Sequence, residues 1–173
     1  MKKFFLVAMI FACIGCSKTK TNQNHLLEGR RIECFYIEKQ GMAFSPHYTM
    51  VKDETKIIWK QSNQYLKNDK NEIVWENAKI LHEGEHEELF VCEDDYWLSY
   101  LEQQVETCGA LTWDGFNEKR KDNRLDSGTK YEMIIQLNDD TMISMQGYNI
   151  CPDQFETLWD EVQTIFESLN EKK

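Results

Sequence analysis

The sequence has little proline and nothing that resembles a linker between domains. Pro46 and Pro152 are the only prolines among 173 residues, and no run of glycine and serine interrupts the chain. Domain boundaries usually fall in exposed segments rich in proline, glycine and polar residues. The sequence therefore predicts one folded domain rather than two.

Positive charge is also scarce. The chain has 20 Lys and Arg residues against 30 Asp and Glu residues, which gives a formal net charge of −10 at pH 7. A surface of this sign repels the phosphate backbone of nucleic acids, so we expect no nucleic-acid partner. It would attract a basic protein or a cation, although high solubility is the simpler consequence of the same charge.

The common signatures of catalysis are missing as well. The sequence contains no G-x-S-x-G nucleophile turn, no glycine-rich phosphate loop and no calcium-binding loop of the D-x-D-x-D-G type. Beyond residue 16 there is no C-x-x-C spacing, so neither a redox dithiol nor a zinc ribbon is indicated. We therefore expect no cofactor.

The feature that is present most plainly is an apolar N-terminus. Lys2 and Lys3 precede the uncharged apolar stretch 4–14. This stretch is shorter than the roughly 20 residues that a membrane-spanning helix needs, and it is typical of the apolar core of a signal peptide. It leads into Cys13-Ile14-Gly15-Cys16, and polar residues follow at once. A cysteine that follows a small residue at this point resembles the lipobox of bacterial lipoprotein precursors, whose cysteine thiol receives a diacylglycerol.

Two cysteines fit that role. Cys16 follows Gly15 and borders the polar region, whereas Cys13 follows Ala12 but has the bulky Phe11 before that small residue. The preference for small residues before the cleavage site favours lipidation of Cys16. Lipidation of Cys13 and an ordinary secretory signal are the alternatives.

Processing at Cys16 defines the organisation of the chain. It predicts a signal peptide at 1–15, a flexible tether at 16–27 and a single domain at 28–173. Removal of Lys2 and Lys3 leaves 18 Lys and Arg residues against 30 Asp and Glu residues, a formal charge of −12. We expect this protein in the bacterial cell envelope, held by its lipid and facing the periplasm or the cell exterior.

Four cysteines would then remain in an oxidising compartment, where disulfides persist. They are Cys34, Cys92, Cys108 and Cys151. Four thiols allow three pairings, and spacing does not select among them. The pairs Cys108–Cys151 and Cys34–Cys92 are one guess.

Hydrophobic patterns predict both strands and helices. Strand-forming segments lie at 30–38, 47–52, 56–60 and 73–82 and in a hairpin of 131–137 with 142–148. In the first segment Ile32, Cys34 and Tyr36 alternate with Phe35 and Ile37, so both faces of the strand should be covered.

Two helices are indicated more strongly. One begins at Asp94 or Asp95 and ends before Gly109. The other follows Pro152, with Asp153 as its expected N-cap. Its apolar stripe consists of Phe155, Leu158, Val162, Ile165, Phe166 and Leu169. These elements predict an α+β fold, a mostly antiparallel sheet with two helices packed on one face.

One segment matches a catalytic signature. His82-Glu83-Gly84-Glu85-His86 has the H-E-x-x-H pattern of zinc metallopeptidases, in which two histidines one helical turn apart bind Zn²⁺ and the glutamate acts as general base. Glu102 and Glu106, on the next predicted helix, are candidates for a third ligand. Against this interpretation, Gly84 disfavours the required helix by about 1 kcal/mol relative to alanine. The surrounding glutamates favour a solvated acidic turn, and an adventitious metal-binding loop is a further alternative.

A resemblance covers about residues 94–169. Its features are the helix ending before Trp113-Asp114-Gly115-Phe116, the hairpin opened by 126–131, Gly147-Tyr148-Asn149, and Pro152 and Phe155 leading into the last helix. This order resembles a domain found in small, uncharacterised bacterial lipoproteins, a family that implies a fold but no activity. Gly115 and Gly147 should permit backbone geometry or close approach that a side chain would block. Trp113, Phe116 and Tyr148 could either pack in the core or line a ligand groove.

The sequence leaves three functional hypotheses. The first is a lipid-anchored envelope protein without catalytic activity that binds a protein or another envelope component, and the negative charge suits a basic envelope protein. The alternative is a zinc-dependent metallopeptidase acting through His82-Glu83-Gly84-Glu85-His86. The third is a purely structural envelope component without a discrete soluble ligand. Metal ligands are not assigned in the first hypothesis, and lipidation of Cys16 is common to all three.

Overall fold

The fold is a seven-stranded sheet with two long helices against it. The computed structural model describes residues 27–41, 46–63, 66–81, 87–120 and 128–172. The strands are β1 (Ile32–Gln40), β2 (His47–Asp53), β3 (Lys56–Ser62), β4 (Glu88–Cys92), β5 (Asn117–Lys119), β6 (Lys130–Leu137) and β7 (Met142–Tyr148). The helices are α1 (Trp75–Ala78), α2 (Tyr96–Thr107) and α3 (Phe155–Asn170), with a 3₁₀ turn at Ala110–Trp113.

The strand order is β4-β3-β2-β1-β6-β7-β5. Every neighbouring pair is antiparallel except β5 with β7. The predicted α+β class, with a mostly antiparallel sheet and two helices on one face, is confirmed. None of the helices in the described ranges combines the length and the apolar character needed to cross a bilayer.

The larger core lies between the sheet and the two long helices, on the side that we call the helical face. Leu98, Leu101 and Val105 of α2 are buried there, and so is the whole predicted stripe of α3. Trp113 and Phe155 join the same core with ring centroids 6.1 Å apart. Leu27, which the sequence places in the tether, is also buried in it, so the packed domain includes at least one residue before its predicted boundary.

The opposite side, the reverse face, carries a smaller apolar cluster. Cys34, Tyr36 and Val51 of the sheet pack there against Leu66 and Ala78. Ile32 does not join them, contrary to the predicted alternation, because the register shifts between Ile32 and Cys34. A bulge of this kind adds a residue to one strand and resets which side chains face each way.

Two secondary-structure predictions are wrong. The segment 73–82 was assigned to strands, but it contains α1, and Ile73 forms only an isolated bridge with Lys67. One helical turn places Trp75 and Ala78 on the same side, where both pack onto the reverse face. The sequence prediction also omitted β4 and β5, the short strands at the two edges of the sheet.

The ends of the helices agree with the sequence in part. Gly109 follows α2 with φ +67°, the expected left-handed conformation. Asp153 is not the N-cap of α3: Gln154 occupies that position with φ +71° and forms no side-chain capping bond. The carbonyl of Gln154 accepts the first bond from the amide of Leu158 at 3.0 Å, which leaves Asp153 one residue outside the cap.

Glycine is required at Gly147 for the reason the sequence suggested. A Cβ placed there would lie 2.0 Å from the carbonyl oxygen of Ile150. Gly115 has φ +73°, a conformation that side chains disfavour. Backbone geometry therefore explains both glycines.

The four cysteines of the described chain are free thiols. The guessed pair Cys34–Cys92 is not formed, because Cys34 packs on the reverse face and Cys92 packs against the core of the helical face. Cys108–Cys151 is not formed either, although both residues belong to the helical face. Burial raises the pKa of Cys34 to about 12, so this thiol stays protonated at neutral pH.

Candidate functional site

The residues of the metallopeptidase hypothesis are mostly beyond what the structure describes. His82-Glu83-Gly84-Glu85-His86 lies outside the described residues, as does Cys16. Of the two candidates for the third ligand, Glu102 already has hydrogen-bond partners within the fold. Its Oε1 accepts bonds from Arg31 Nε at 2.8 Å and from the amide of Ile32 at 2.9 Å. Glu106 is exposed on α2. Within the described ranges, no group of three or more His, Cys, Asp or Glu residues is placed to hold a metal ion.

Trp113, Phe116 and Tyr148 do not form one groove. Trp113 is buried in the core of the helical face, and Phe116 packs against that core. Tyr148 pairs with Lys130 across β6 and β7 on the reverse face, where Lys119 lies over its ring at 5.0 Å. The first two residues therefore have the core role that the sequence allowed, and the aromatic groove is not present.

Instead, charged side chains are buried along the reverse face of the sheet. Lys60 and Glu132 are 0% and 1% exposed. We call the following set the reverse-face cluster: Glu38, His47, Lys60, Ser62, Lys67, Glu87 and Glu132. Lys67 forms an ion pair with Glu132, and Lys60 lies 3.7 Å from Glu87. Buried charges are tolerated when they are paired in this way.

The segment 66–81 covers this cluster and is held by it. Lys60 Nζ donates to the carbonyl oxygens of Ile80 at 2.5 Å and Asn77 at 3.4 Å, at the C-terminal end of α1. A cation is favoured at a helix C-terminus, where backbone carbonyls lack partners. Lys67 lies over the ring of Tyr36 at 5.6 Å. The cluster thus fastens a cover onto the sheet.

Three members of this cluster form a row that looks like a catalytic triad. Ser62, His47 and Glu38 occupy directly paired positions on β3, β2 and β1. The hydrogen bonds of a triad are not made, however. Ser62 Oγ bonds to Glu87 Oε1 at 2.5 Å, and within the described residues the buried His47 Nε2 has no partner.

Glu38, the third member of the row, accepts a bond from Lys130 at 3.1 Å. A nucleophilic serine needs a hydrogen bond to its base and access to substrate. The hydroxyl of Ser62 donates to Glu87 instead, and the residue is 0% exposed and therefore closed to substrate. The row is therefore a buried polar contact between strands rather than a reaction centre.

An open cavity lies on the other side of the sheet, at its β4 edge. Its volume is about 270 Å³. We call it the edge groove and define it by its lining residues, Tyr48, Gln61, Glu88, Gln163, Phe166, Glu167 and Asn170. The groove combines aromatic surface with two carboxylates.

The floor of the edge groove is one row of side chains across three strands. Tyr48 pairs with Gln61, and Gln61 pairs with Glu88, which places the three on β2, β3 and β4 at the same level. Glu88 is the outermost, because β4 is the edge strand. The groove is therefore open at the edge of the sheet and closed towards its centre by Tyr48, which is 4% exposed.

The wall of the edge groove is the C-terminal half of α3. Gln163, Phe166, Glu167 and Asn170 have the three- and four-residue spacing that places side chains on one face of a helix. The ring of Phe166 lies 4.7 Å from that of Tyr48, and Gln163 Nε2 donates to the Tyr48 hydroxyl at 3.4 Å. The apolar part of the lining is thereby fixed by contacts between floor and wall.

The two carboxylates have no cationic partner in the described part of the chain. Glu88 accepts weak bonds from the Asn170 amide at 3.3 and 3.4 Å, and Glu167 is exposed. Burial raises the pKa of Tyr48, a hydrogen bond from Gln163 lowers it, and the negative charges of Glu167 and Glu88 raise it further. Tyr48 is therefore a neutral phenol beside two negative charges.

This arrangement suits one kind of side chain. Lysine and arginine have an apolar stem that packs on aromatic surface and a cation that bonds to carboxylates. The rings of Tyr48 and Phe166 would contact the stem, and Glu88 and Glu167 would bind the cation.

Sequence reasoning did not identify the edge groove. In the sequence Glu88 stands out only as one of the glutamates around the H-E-x-x-H segment, and Glu167 only as a polar neighbour of the apolar stripe of α3. The usable signal was the polar residues Gln163, Glu167 and Asn170, which follow one another at helical spacing next to that stripe. Their partner strand could not be read from the sequence.

The resemblance of residues 94–169 to uncharacterised lipoproteins stays a prediction. When the chain was compared with known proteins, no family, no curated protein and no solved structure matched it.

Proposed function

We propose that this chain is a lipid-anchored protein of the bacterial cell envelope that binds a basic protein through the edge groove and is not an enzyme. The observation that carries the proposal is the pair of glutamates, Glu88 and Glu167, beside the aromatic surface of Tyr48 and Phe166. Neither carboxylate has a lysine or arginine partner among the described residues. A basic side chain of another protein supplies the charge that the groove lacks.

The charge of the whole chain supports the same partner. The formal net charge is −10, and the predicted processing would make it −12. A field of this sign accelerates encounter with a cationic protein and repels an acidic one. The groove would then select among cationic proteins by requiring a lysine or arginine that can reach it.

The anchor would determine where binding takes place. A lipid on Cys16 and a tether of about a dozen residues would hold the domain near the membrane surface. A cationic enzyme that acts on the envelope is the kind of partner that such a protein would retain or inhibit.

The proposal is tested with the full-length lipoprotein extracted in detergent. A cationic lysozyme is the immobilised probe, and the same lysozyme with acetylated lysines is its control, because acetylation removes the positive charges of the lysines and so lowers the net positive charge. We expect binding to the unmodified probe that weakens as salt is raised from about 0.05 to 0.3 M, since screening shortens the reach of charge.

The variant that tests the groove is Glu88→Gln combined with Glu167→Gln. It should bind at least about tenfold more weakly than the wild type, the effect expected from losing charge-assisted bonds. Glu118→Gln is the control, because Glu118 is an exposed carboxylate on β5 at the opposite edge of the sheet. Equal binding by the groove variant and this control would contradict the proposal.

A further inference from the structure

The strand β4, which begins at the edge groove, has an open side. In the described part of the chain β4 pairs with β3 alone. A strand at the edge of a sheet directs alternate backbone amides and carbonyls outward, where another strand can bind them. On the reverse face the side chains of β4 are partly open to solvent, since Val91 is 51% exposed.

Acidic residues lie at both ends of β4. Glu88 is its first residue, and Glu93 and Asp94 follow it directly. Antiparallel pairing of β4 with β4 of a second copy would bring these two acidic ends together, and like charges opposite each other are destabilising. The same charges favour an incoming strand that is basic.

From these observations we infer that β4 binds an extended basic segment of the partner as an eighth strand. The inference rests on the proposed function and adds the binding mode. The added strand would run antiparallel to β4, as β3 does. Backbone bonds to β4 would supply affinity, and alternate side chains would supply specificity.

The position of the groove defines the basic residue of that segment. The groove floor is the row Tyr48, Gln61 and Glu88, so its open end lies where the next strand would be. A residue of the added strand opposite Glu88 would have its Cβ about 5 Å away on the helical face. A lysine or arginine there would extend along the row towards Glu167.

The neighbouring positions of the added strand should be apolar. Residues opposite Leu89 and Val91 would lie on the reverse face, and the residue opposite Phe90 would lie on the helical face. The expected segment is a short run of strand-forming residues that ends in lysine or arginine. This pattern distinguishes the inference from general attraction of any basic surface.

Synthetic peptides test the binding mode. The probe is a nine-residue peptide of alternating valine and isoleucine with one lysine at the position that would face Glu88. Two further versions carry N-methyl groups on one or the other alternate set of backbone amides. Only one set of amides would face β4. We expect one methylated version to bind at least about tenfold more weakly and the other to bind as the parent does.

The outcomes separate the two proposals. If both methylated peptides bind like the parent while Glu88→Gln with Glu167→Gln binds weakly, the groove stands and strand addition is wrong. If the lysine peptide binds no better than a version with glutamate at that position, the groove does not prefer a basic residue and the proposed function is wrong.

A matched pair of protein variants tests the location. Val91→Lys and Met142→Lys each add one positive charge at an exposed residue of the reverse face, 51% and 48% exposed, but only Val91 is on the edge strand. We expect Val91→Lys alone to weaken binding of the lysine peptide, by up to about fivefold, because the new charge would face an apolar residue of the added strand. Equal effects of the two variants, or a wild-type dimer through β4 in sedimentation, would overturn the inference.

Discussion

The buried surroundings of His47 should make the stability of the fold depend on pH. The residue is 4% exposed, and its Nε2 lacks a partner among the described residues. Burial lowers the pKa of His47 from 6.5 to about 4, and the positive charge of Lys60 contributes in the same direction. Glu87 opposes this effect and Lys67 adds to it. The imidazole is therefore neutral in the folded protein at every pH above about 4.

The expected consequence is a loss of stability in mild acid. Between pH 6.5 and 4 the unfolded chain binds a proton on His47 that the folded chain does not, so the free energy of unfolding falls as pH falls. The shift corresponds to about 3 kcal/mol, lost in full below pH 4. Urea unfolding of the wild type and of His47→Gln at several pH values measures it.

The comparison between these two proteins isolates the imidazole from the carboxylates. Glu132 also has a lowered pKa in the folded protein: burial alone would raise it, but its bonds and charge interactions with Lys130 and Lys67 outweigh that effect. This carboxylate titrates in both proteins, so its contribution cancels in the difference. Parallel curves of unfolding free energy against pH for wild type and His47→Gln would show that the burial of His47 has no energetic effect.

At the scale of elements, Glu102 joins α2 to the start of β1. Its carboxylate accepts the Ile32 amide at 2.9 Å and pairs with Arg31 Nε at 2.8 Å. Glu102→Ala would leave the buried amide without a partner, which costs about 1–3 kcal/mol. Glu106→Ala is the matched control on the next turn of α2, because Glu106 is exposed and its loss should stay within about 0.5 kcal/mol. Equal shifts of the urea midpoint in the two variants would count against the joining role.

The elements that could be predicted are those whose pattern is complete within one segment. The apolar stripe of α3 repeats over more than four turns, and every residue of the predicted stripe is buried. In β6 and β7 the apolar residues alternate on both sides of a polar turn. Local periodicity was sufficient in both cases, because burial of one face is what stabilises such elements.

The elements that could not be predicted depend on distant partners. β4 has five residues in an acidic stretch, and it is a strand because it pairs with β3, where Phe90 lies opposite Trp59. α1 is a single helical turn whose C-terminal end is bonded by Lys60 from another strand. Neither partner can be identified from the segment itself. Propensity is a weak guide where tertiary contacts decide the conformation.

The candidate site is non-local for the same reason. Glu88 and Glu167 lie on the edge strand and on the last helix, and packing of α3 across the sheet brings them to one groove. The sequence predicted the negative charge and the basic partner, but not the place where they would meet. The buried cluster of the reverse face was also missed, since lysines are almost always expected at the surface.

At the scale of the whole molecule, the two faces of the sheet have different tasks. The reverse face is closed by a cover that paired charges hold in place, whereas the edge groove is open and its charges are unpaired in the described residues. The reverse-face cluster therefore contributes to the stability of the fold, whereas the carboxylates of the edge groove are free to bind a partner. A lipid on Cys16 would hold the domain through the segment that leads to Leu27, a buried core residue, rather than through β4 or α3.

The anchor itself is the last expected outcome. Cys16 and Cys13 are both candidates, and single substitutions separate them. We expect radiolabelled palmitate to enter the wild type and Cys13→Ala but not Cys16→Ala, because the small Gly15 before Cys16 suits the processing enzyme. The unlabelled Cys16→Ala should also leave the membrane fraction, since stable attachment requires the lipid chains. Label retained by Cys16→Ala and lost by Cys13→Ala would place the lipid on Cys13. An unlabelled wild type would show that the protein is not anchored by lipid and that its binding edge is presented by some other means.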